Sequence, residues 1–312
     1  MALKKIYNMN TWIPLISRRV SRLLGKESEN LIQGISTNDM KLLDHRIGVF
    51  TAFLNRQGRF LADAFVFYHK GHLCLECDVV HYPVIKGLID QYGPLHSVQI
   101  QDMPFAVISF SGPECHQLHH EVQMHIQERS GIIFQDPRHL NLGFRVILPY
   151  ECWHEIPTPL CIPGTEKYYR VLCIQNGIPC GACDLVGGRS SILEYHYHLH
   201  QGISWKKGCY IGQEVIARSF YQNRFRRGLF RLTHVLAGSV LKAGEDLLDN
   251  KGNVQGIWGS FCSGQGLLCL DQAWALTCLD TGNFEGYKTD GTMVTGILTP
   301  NKESIEVCTQ GV

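Results

Sequence analysis

The chain changes texture at Arg227. Beyond it, short apolar runs are separated by turn-forming residues at Gly238, Gly244, Asn250-Lys251-Gly252, Gly256, Gly259, Gly264 and Gly282. Runs of that length bounded by glycine and asparagine read as strands, and their regular spacing predicts a small β-barrel or sandwich over 225–312. Upstream, stretches with helical spacing of apolar residues alternate with strand-like stretches. Residues 1–224 are therefore expected to form an α+β region in two subdomains.

Within that region, Ser28 to Asp39 reads as a short helix entering a turn at Ser36-Thr37-Asn38-Asp39, whose small polar side chains can satisfy local backbone groups and face a ligand. Val49–Leu54 and Phe65–Tyr68 are predicted strands around the Gly58 turn, and His69-Lys70-Gly71-His72 is a predicted hairpin leading into Leu73–Cys77. Val80, Val84, Ile85, Leu88, Ile89 and Tyr92 recur at helical spacing, which predicts a helix over 79–92 with Pro83 in its first turn. A second set repeats the pattern: strands at 97–101 and 105–110, a helix from Pro113 to Arg129, and strands near Ile132 and over 144–148. A last helix, Glu166–Asn176, should stop at Gly177 and Pro179.

With 45% hydrophobic and 18% charged residues, the 312-residue chain has ample material for a packed core. A net charge of +1 excludes coating of nucleic acid through global charge. Thirteen cysteines, an odd number without a secretory leader, read as reduced thiols, and the expectation is a cytosolic protein. The segment Met1–Leu24 is basic and poor in acids, as a mitochondrial presequence is, but motif-bearing sequence near Leu31 leaves little room for a removable leader. No apolar run approaches the roughly 18 residues of a membrane span.

The most informative stretch is Lys207-Gly208-Cys209-Tyr210-Ile211-Gly212-Gln213-Glu214-Val215-Ile216-Ala217-Arg218. Two glycines allow close backbone approach to a ligand. A cation beside Cys209 would stabilise its thiolate, which casts Lys207 as the residue tuning a functional thiol. A glycine-flanked structural turn accounts for the same pattern.

The octet Lys-Gly-Cys-Tyr-Ile-Gly-Gln-Glu at 207–214 resembles the signature of YgfZ-type folate-binding proteins, relatives of the glycine-cleavage aminomethyltransferases. The resemblance continues through Leu-Ile-Gln-Gly-Ile-Ser-Thr-Asn-Asp at 31–39, Phe-Leu-Asn-Arg-Gln-Gly-Arg-Phe-Leu-Ala-Asp at 53–63 and Asn-Gly-Ile-Pro at 176–179. It implies an aminomethyltransferase-like fold: intertwined ferredoxin-like α+β domains around a central folate hole, then a C-terminal β-barrel. It also implies an accessory role in assembly or repair of iron–sulfur enzymes, including those that modify tRNA, with tetrahydrofolate or a derivative as ligand and cluster-assembly proteins or client enzymes as partners.

A pterin's amino-pyrimidine edge presents donors that a carboxylate accepts in pairs. Asp63 is the first candidate for that contact and Glu194 the second. Tyr210 is the aromatic chosen to stack on the ligand from among Trp205, Tyr210, Phe220 and Tyr221. Gln213, Glu214 and Arg218 complete the expected cofactor-binding set. Residues 206–231 carry seven Lys and Arg against Glu214 alone, a bias that suits a polyglutamate tail, an acidic partner or RNA phosphates. At 173–177, Cys-Ile-Gln-Asn-Gly replaces the aminomethyltransferase pattern Arg-Leu-Glu-Ala-Gly, so Gln175 supplies no negative charge. Folate binding is thus favoured over aminomethyl transfer, with a true aminomethyltransferase and a folate-free scaffold as the rivals. Two Cys-x-x-Cys pairs, 74/77 and 180/183, and His196, His198 and His200, alternating as strand neighbours would, are minor candidates for metal binding.

Overall fold

The computed structural model describes residues 9–155, 161–237 and 241–300, so the predicted break at Gly238 lies outside the described residues. Contacts group the chain into two compact units. The first takes residues up to 53, then 61–169 and 200–211; the second takes 54–60, 170–199 and 212 onward.

The first unit contains two five-stranded sheets. Its strands, in chain order, are β1 (Asn10–Pro14), β2 (Arg18–Leu24), β3 (Gly48–Leu54), β4 (Phe60–His69), β5 (His72–Asp78), β6 (Gln99–Met103), β7 (Phe105–Ser111), β8 (Ile132–Gln135), β9 (Phe144–Pro149) and β10 (Cys161–Pro163). One sheet runs β3-β4-β5-β2-β6 and the other β10-β1-β7-β9-β8. The predicted hairpin is present: His69 pairs with His72, and Lys70 and Gly71 take φ of 48° and 77°, the two positive values that a two-residue loop between right-twisted strands needs.

Helices α1 (Ser28–Ile35) and α2 (Tyr82–Tyr92) cover the first sheet, burying Leu31, Ile32, Ile85 and Ile89 against Phe53, Val66 and Leu75. The apolar stripe of α2 is narrower than its spacing suggests. The helix begins only at Tyr82, so Val80 precedes it and is 57% exposed, and Val84 in its first turn is 36% exposed. Helix α3 (Cys115–Gln127) covers the second sheet through Leu118, Val122 and Ile126. Every position of β3 is buried, as in a strand covered on both faces. The two sheets meet where the Phe134 ring packs on Phe65 and Phe67, and Gly48 belongs to this junction because a Cβ there would stand 2.5 Å from the Phe134 ring. Helix α4 (Glu166–Gln175) carries the chain from the first unit into the second.

The second unit is built on the predicted barrel. Strands β11 (Arg227–Ala237), β12 (Asp246–Leu248), β13 (Val254–Cys262), β14 (Gln265–Asp271), β15 (Phe284–Tyr287) and β16 (Met293–Pro300) close in the order β11-β14-β13-β12-β15-β16 around Phe230, Leu232, Trp258, Leu268, Leu270 and Phe284. Two short helices precede it, α5 (Gly181–Asp184) and α6 (Gln213–Tyr221). Helix α7 (Gln272–Thr281) interrupts the strands, capped by the Asp271 carboxylate, which accepts from the Trp274 N–H, and stopped by Gly282 at φ 73°. His196, His198 and His200 are not strand neighbours: the chain from Ile192 to Gln201 is a succession of turns, with His196 in left-handed backbone at φ 57°. Among the described residues no helix is long and apolar enough to cross a membrane.

Candidate functional site

Of the two stretches that carried the strongest resemblance, 31–39 and the 207–211 part of 207–214 come together in the first unit. The Thr37 hydroxyl donates to Gly202 O at 2.6 Å, the Asn38 amide donates to Gln201 O at 2.7 Å, and the Ser204 N–H donates to Thr37 O at 3.0 Å. The small polar turn at 36–39 therefore serves the chain at 201–204.

Lys207 fixes the same junction. The residue is 7% exposed, and its ammonium donates to the carbonyl oxygens of Gln33, Ser36 and Asn38 at 2.7, 2.8 and 2.7 Å. Three acceptors use all three donors of an ammonium. Burial drags its pKa down to about 8, with Asp39 holding it up. Lys207 thus positions the base of the loop, and the role of thiol partner assigned from sequence is replaced by that of a staple. Tyr210 lies beneath it, with the ammonium 5.2 Å from the ring centroid, and its buried phenol is pushed up to about 12. Between these anchored residues Cys209 stands at the surface. Of the twelve described cysteines it alone is exposed.

Asp63, on β4, is also in the first unit. Its carboxylate meets His81 Nδ1 at 3.0 Å with both side chains nearly buried. Burial pulls the imidazole pKa down, but the hydrogen bond and charge of Asp63 outweigh it, so His81 is held above the ordinary histidine value. Nearby lies a network that no sequence motif announced. Arg145 on β9 donates to both oxygens of Glu76 on β5, at 3.1 and 2.9 Å, and to Asp136 at 3.1 Å. Arg18 closes on the other side of Glu76, Arg138 pairs with Asp136 at 2.7 Å, and the Tyr169 hydroxyl accepts from both Arg138 and Arg145. Glu76, Asp136 and Arg145 are at most 2% exposed, and the Arg145 guanidinium sits 4.1 Å from the Phe65 centroid. These residues come from strands, a loop and a helix with no shared motif, so only their meeting in the folded unit identifies them. A cavity of about 600 Å³ opens beside this network, lined among others by Arg46, Phe134, Asp136, Arg138 and His139. None of the candidate residues chosen from sequence lines it.

The remaining candidates belong to the second unit. Glu194 is half-buried, and burial raises its carboxyl against the opposing charges of Arg227 and Arg59. Gly212, at φ 84°, precedes α6; a Cβ there would stand 2.8 Å from Asn55 O and 3.1 Å from Gly58 Cα, so this glycine serves chain packing around the 54–60 turn. Gln213 starts α6. Glu214 and Arg218 project from it into solvent as an i,i+4 pair at 2.5 Å, with side-chain exposures of 82% and 59%. Nor does the basic stretch form one face: Lys207 is buried, Arg231 donates to Gln175 O at 2.8 Å, and Arg226 is exposed. Among the described residues, no group of three or more His, Cys, Asp or Glu is placed to hold a metal ion.

This architecture is the fold of the glycine-cleavage aminomethyltransferases. The crystal structure of glycine cleavage system aminomethyltransferase T from Bartonella henselae superposes with a TM-score of 0.72 over 96% of this chain and 88% of that one, at 12% identity. By sequence the chain is similar to the mitochondrial iron–sulfur cluster assembly factor IBA57 of Homo sapiens, at 28% identity over 84% of this chain and 76% of the relative. It is similar also to the factors so named from Mycosarcoma maydis and Mus musculus, each 27% identical, of whose lengths it spans 57% and 65%. No family model matches the chain. These relatives are named mitochondrial, which overturns the expectation of a cytosolic protein: free thiols mark a reducing compartment without saying which one.

Tetrahydrofolate, the ligand the resemblance implies, finds a partial fit. Asp63 supplies a buried carboxylate, the group that a pterin's amino-pyrimidine edge calls for, held by His81 at 3.0 Å. Glu214 and Arg218 pair with each other in solvent, and Gln175 offers an uncharged amide.

Proposed function

We propose that this chain is an accessory factor in the assembly or repair of iron–sulfur enzymes, tRNA-modifying ones among them, and that Cys209 is its working thiol. The observation that carries this reading is the exposure of Cys209 on a loop whose base is locked by Lys207. A thiolate is the ligand iron and its sulfide clusters prefer, and one held at the surface on a fixed loop can meet a cluster presented by a partner protein. The similarity to proteins named iron–sulfur cluster assembly factors supports the same reading.

Folate binding is the second part of the proposal. Asp63 would accept from the pterin edge, with His81 orienting its carboxylate. The test has two arms. In cells lacking the protein, wild type should restore the activity of cluster-dependent enzymes and Cys209→Ser should not; full rescue by the variant overturns the role of the thiol. Calorimetric titration with tetrahydrofolate should show saturable binding that Asp63→Asn weakens, and absence of binding to the wild-type protein removes the folate part alone.

A further inference from the structure

The two Cys-x-x-Cys pairs have the same spacing and opposite geometry. Cys74 and Cys77 lie on β5, where residues three apart point to opposite faces and stand about 10 Å apart, and burial pushes both thiols up to about 12. Such thiols neither meet nor ionise. Cys180 and Cys183 instead span one closed turn: the Cys183 N–H donates to Cys180 O at 2.9 Å and the Asp184 N–H to the same oxygen at 2.7 Å. A hydrogen-bonded turn keeps its ends within about 7 Å Cα to Cα, and a disulfide needs about 4.4–6.8 Å.

The turn is held in place from behind. Asp184, 1% exposed, accepts from the Cys180 N–H at 2.7 Å through one carboxylate oxygen and from the Ser260 N–H on β13 at 2.5 Å through the other. Gly259, next to Ser260, lies so near that a Cβ there would stand 2.7 Å from the Asp184 carboxylate. Both cysteines are only partly buried, so a small thiol reagent can reach them. Arg170 on α4 interacts electrostatically with both. Although burial works against its charge, the guanidinium is held above the ordinary arginine pKa by Cys183, Cys180, Asp184 and Cys262. A cation so placed stabilises a thiolate in return, which is the condition for thiol reactivity near neutral pH.

We propose that Cys180 and Cys183 form a dithiol that exchanges with small disulfides. One thiolate of the pair attacks a sulfur of a disulfide such as oxidised glutathione; a mixed disulfide forms and one glutathione thiolate leaves. The second thiol loses its proton, attacks the protein sulfur of the mixed disulfide and expels the bound glutathione as a thiolate. The pair ends oxidised, one oxidised glutathione has become two reduced ones, and reduced glutathione in excess runs the exchange backward. The site is separate from Cys209 and independent of the function proposed above.

The full-length chain is equilibrated anaerobically with mixtures of reduced and oxidised glutathione, quenched with iodoacetamide and digested with trypsin. Cleavage after Arg170 and Arg189 releases residues 171–189, which contain Cys173, Cys180 and Cys183. The expected product from oxidising buffers carries one alkylated cysteine and is lighter by two hydrogens, with fragmentation placing the link between 180 and 183, and it disappears in Cys180→Ser and Cys183→Ser. Arg170→Gln should slow alkylation of the pair at neutral pH several-fold, and Arg170→Lys should restore most of the rate, with thermal unfolding confirming that both variants fold. Three alkylated cysteines under every buffer, a link through Cys173, glutathione retained on one cysteine without closure, or tightly held zinc that Cys180→Ser releases would each overturn the proposal.

Discussion

Arg145 and Lys207 are both buried cations of the first unit, and they are neutralised in different ways. Arg145 faces two carboxylates, Glu76 and Asp136, together with the Tyr169 hydroxyl, and their pull outweighs burial and raises its pKa. Lys207 faces three backbone carbonyls and no contacting carboxylate, and burial takes its pKa down to about 8. The difference teaches what each one does. Full charges hold the two sheets together permanently, whereas dipoles hold a loop through a cation that can be discharged near physiological pH.

The comparison can be broken most sharply at Arg145. Arg145→Met leaves Glu76 buried and short of its bidentate partner, and should cost about 3–5 kcal/mol in urea unfolding. Adding Glu76→Leu should recover little of that loss, since it removes the uncompensated carboxylate but leaves Arg18 without its partner. Full recovery would mean that the Arg18–Glu76 pair contributes nothing to stability. Lys207→Met should cost less, about 2–3 kcal/mol, because the carbonyls of Gln33, Ser36 and Asn38 lose a donor but carry no net charge. A larger loss than for Arg145→Met would reverse the ranking of the two sites.

The sharper discriminator is pH. Since the folded-state pKa of Lys207 lies near 8 and the unfolded one near 10.5, the folded protein binds fewer protons between those values, and stability should rise with pH across that window. The slope from this one group is at most about 1.4 kcal/mol per pH unit. Lys207→Met should flatten it, and a Gdm titration series from pH 7.5 to 10.5 that leaves the slope unchanged would remove the titration from Lys207. Arg145→Met should leave it in place. The smallest effect belongs to Cys209→Ser, an exposed substitution expected to change stability by no more than about 0.5 kcal/mol while abolishing cluster-dependent rescue. A large loss of stability would return Cys209 to a structural role.

Helix and strand periods, the Lys70-Gly71 turn and the glycine-punctuated barrel strands were legible in the chain because each depends on residues within a few positions of one another. The apolar stripe of α2 was read too wide, since Val80 precedes the first helical turn. Of the candidate site, the sequence singled out Cys209 without saying that it is exposed, and Lys207 was read as its partner when its ammonium in fact reaches back to residues 33–38. Glu214 and Arg218 were grouped with ligand-binding residues by proximity in sequence, and the helix turns them into water. The histidines at 196, 198 and 200 alternate in sequence but sit in turns, where alternation has no fixed direction.

By itself, the sequence determined the kinds of elements this chain forms and the change from α+β to barrel. Local propensity, glycine conformational freedom and apolar spacing act over short distances and need no knowledge of the partner strand. Only the tertiary structure decided which charges meet. Glu76, Arg145, Asp136 and Tyr169 are ordinary strand, loop and helix residues until two sheets close on them, and Cys180 and Cys183 differ from Cys74 and Cys77 in burial and in the backbone conformation between them. Electrostatic and redox character depends on burial and distance, and neither is written in the spacing of residues along the chain.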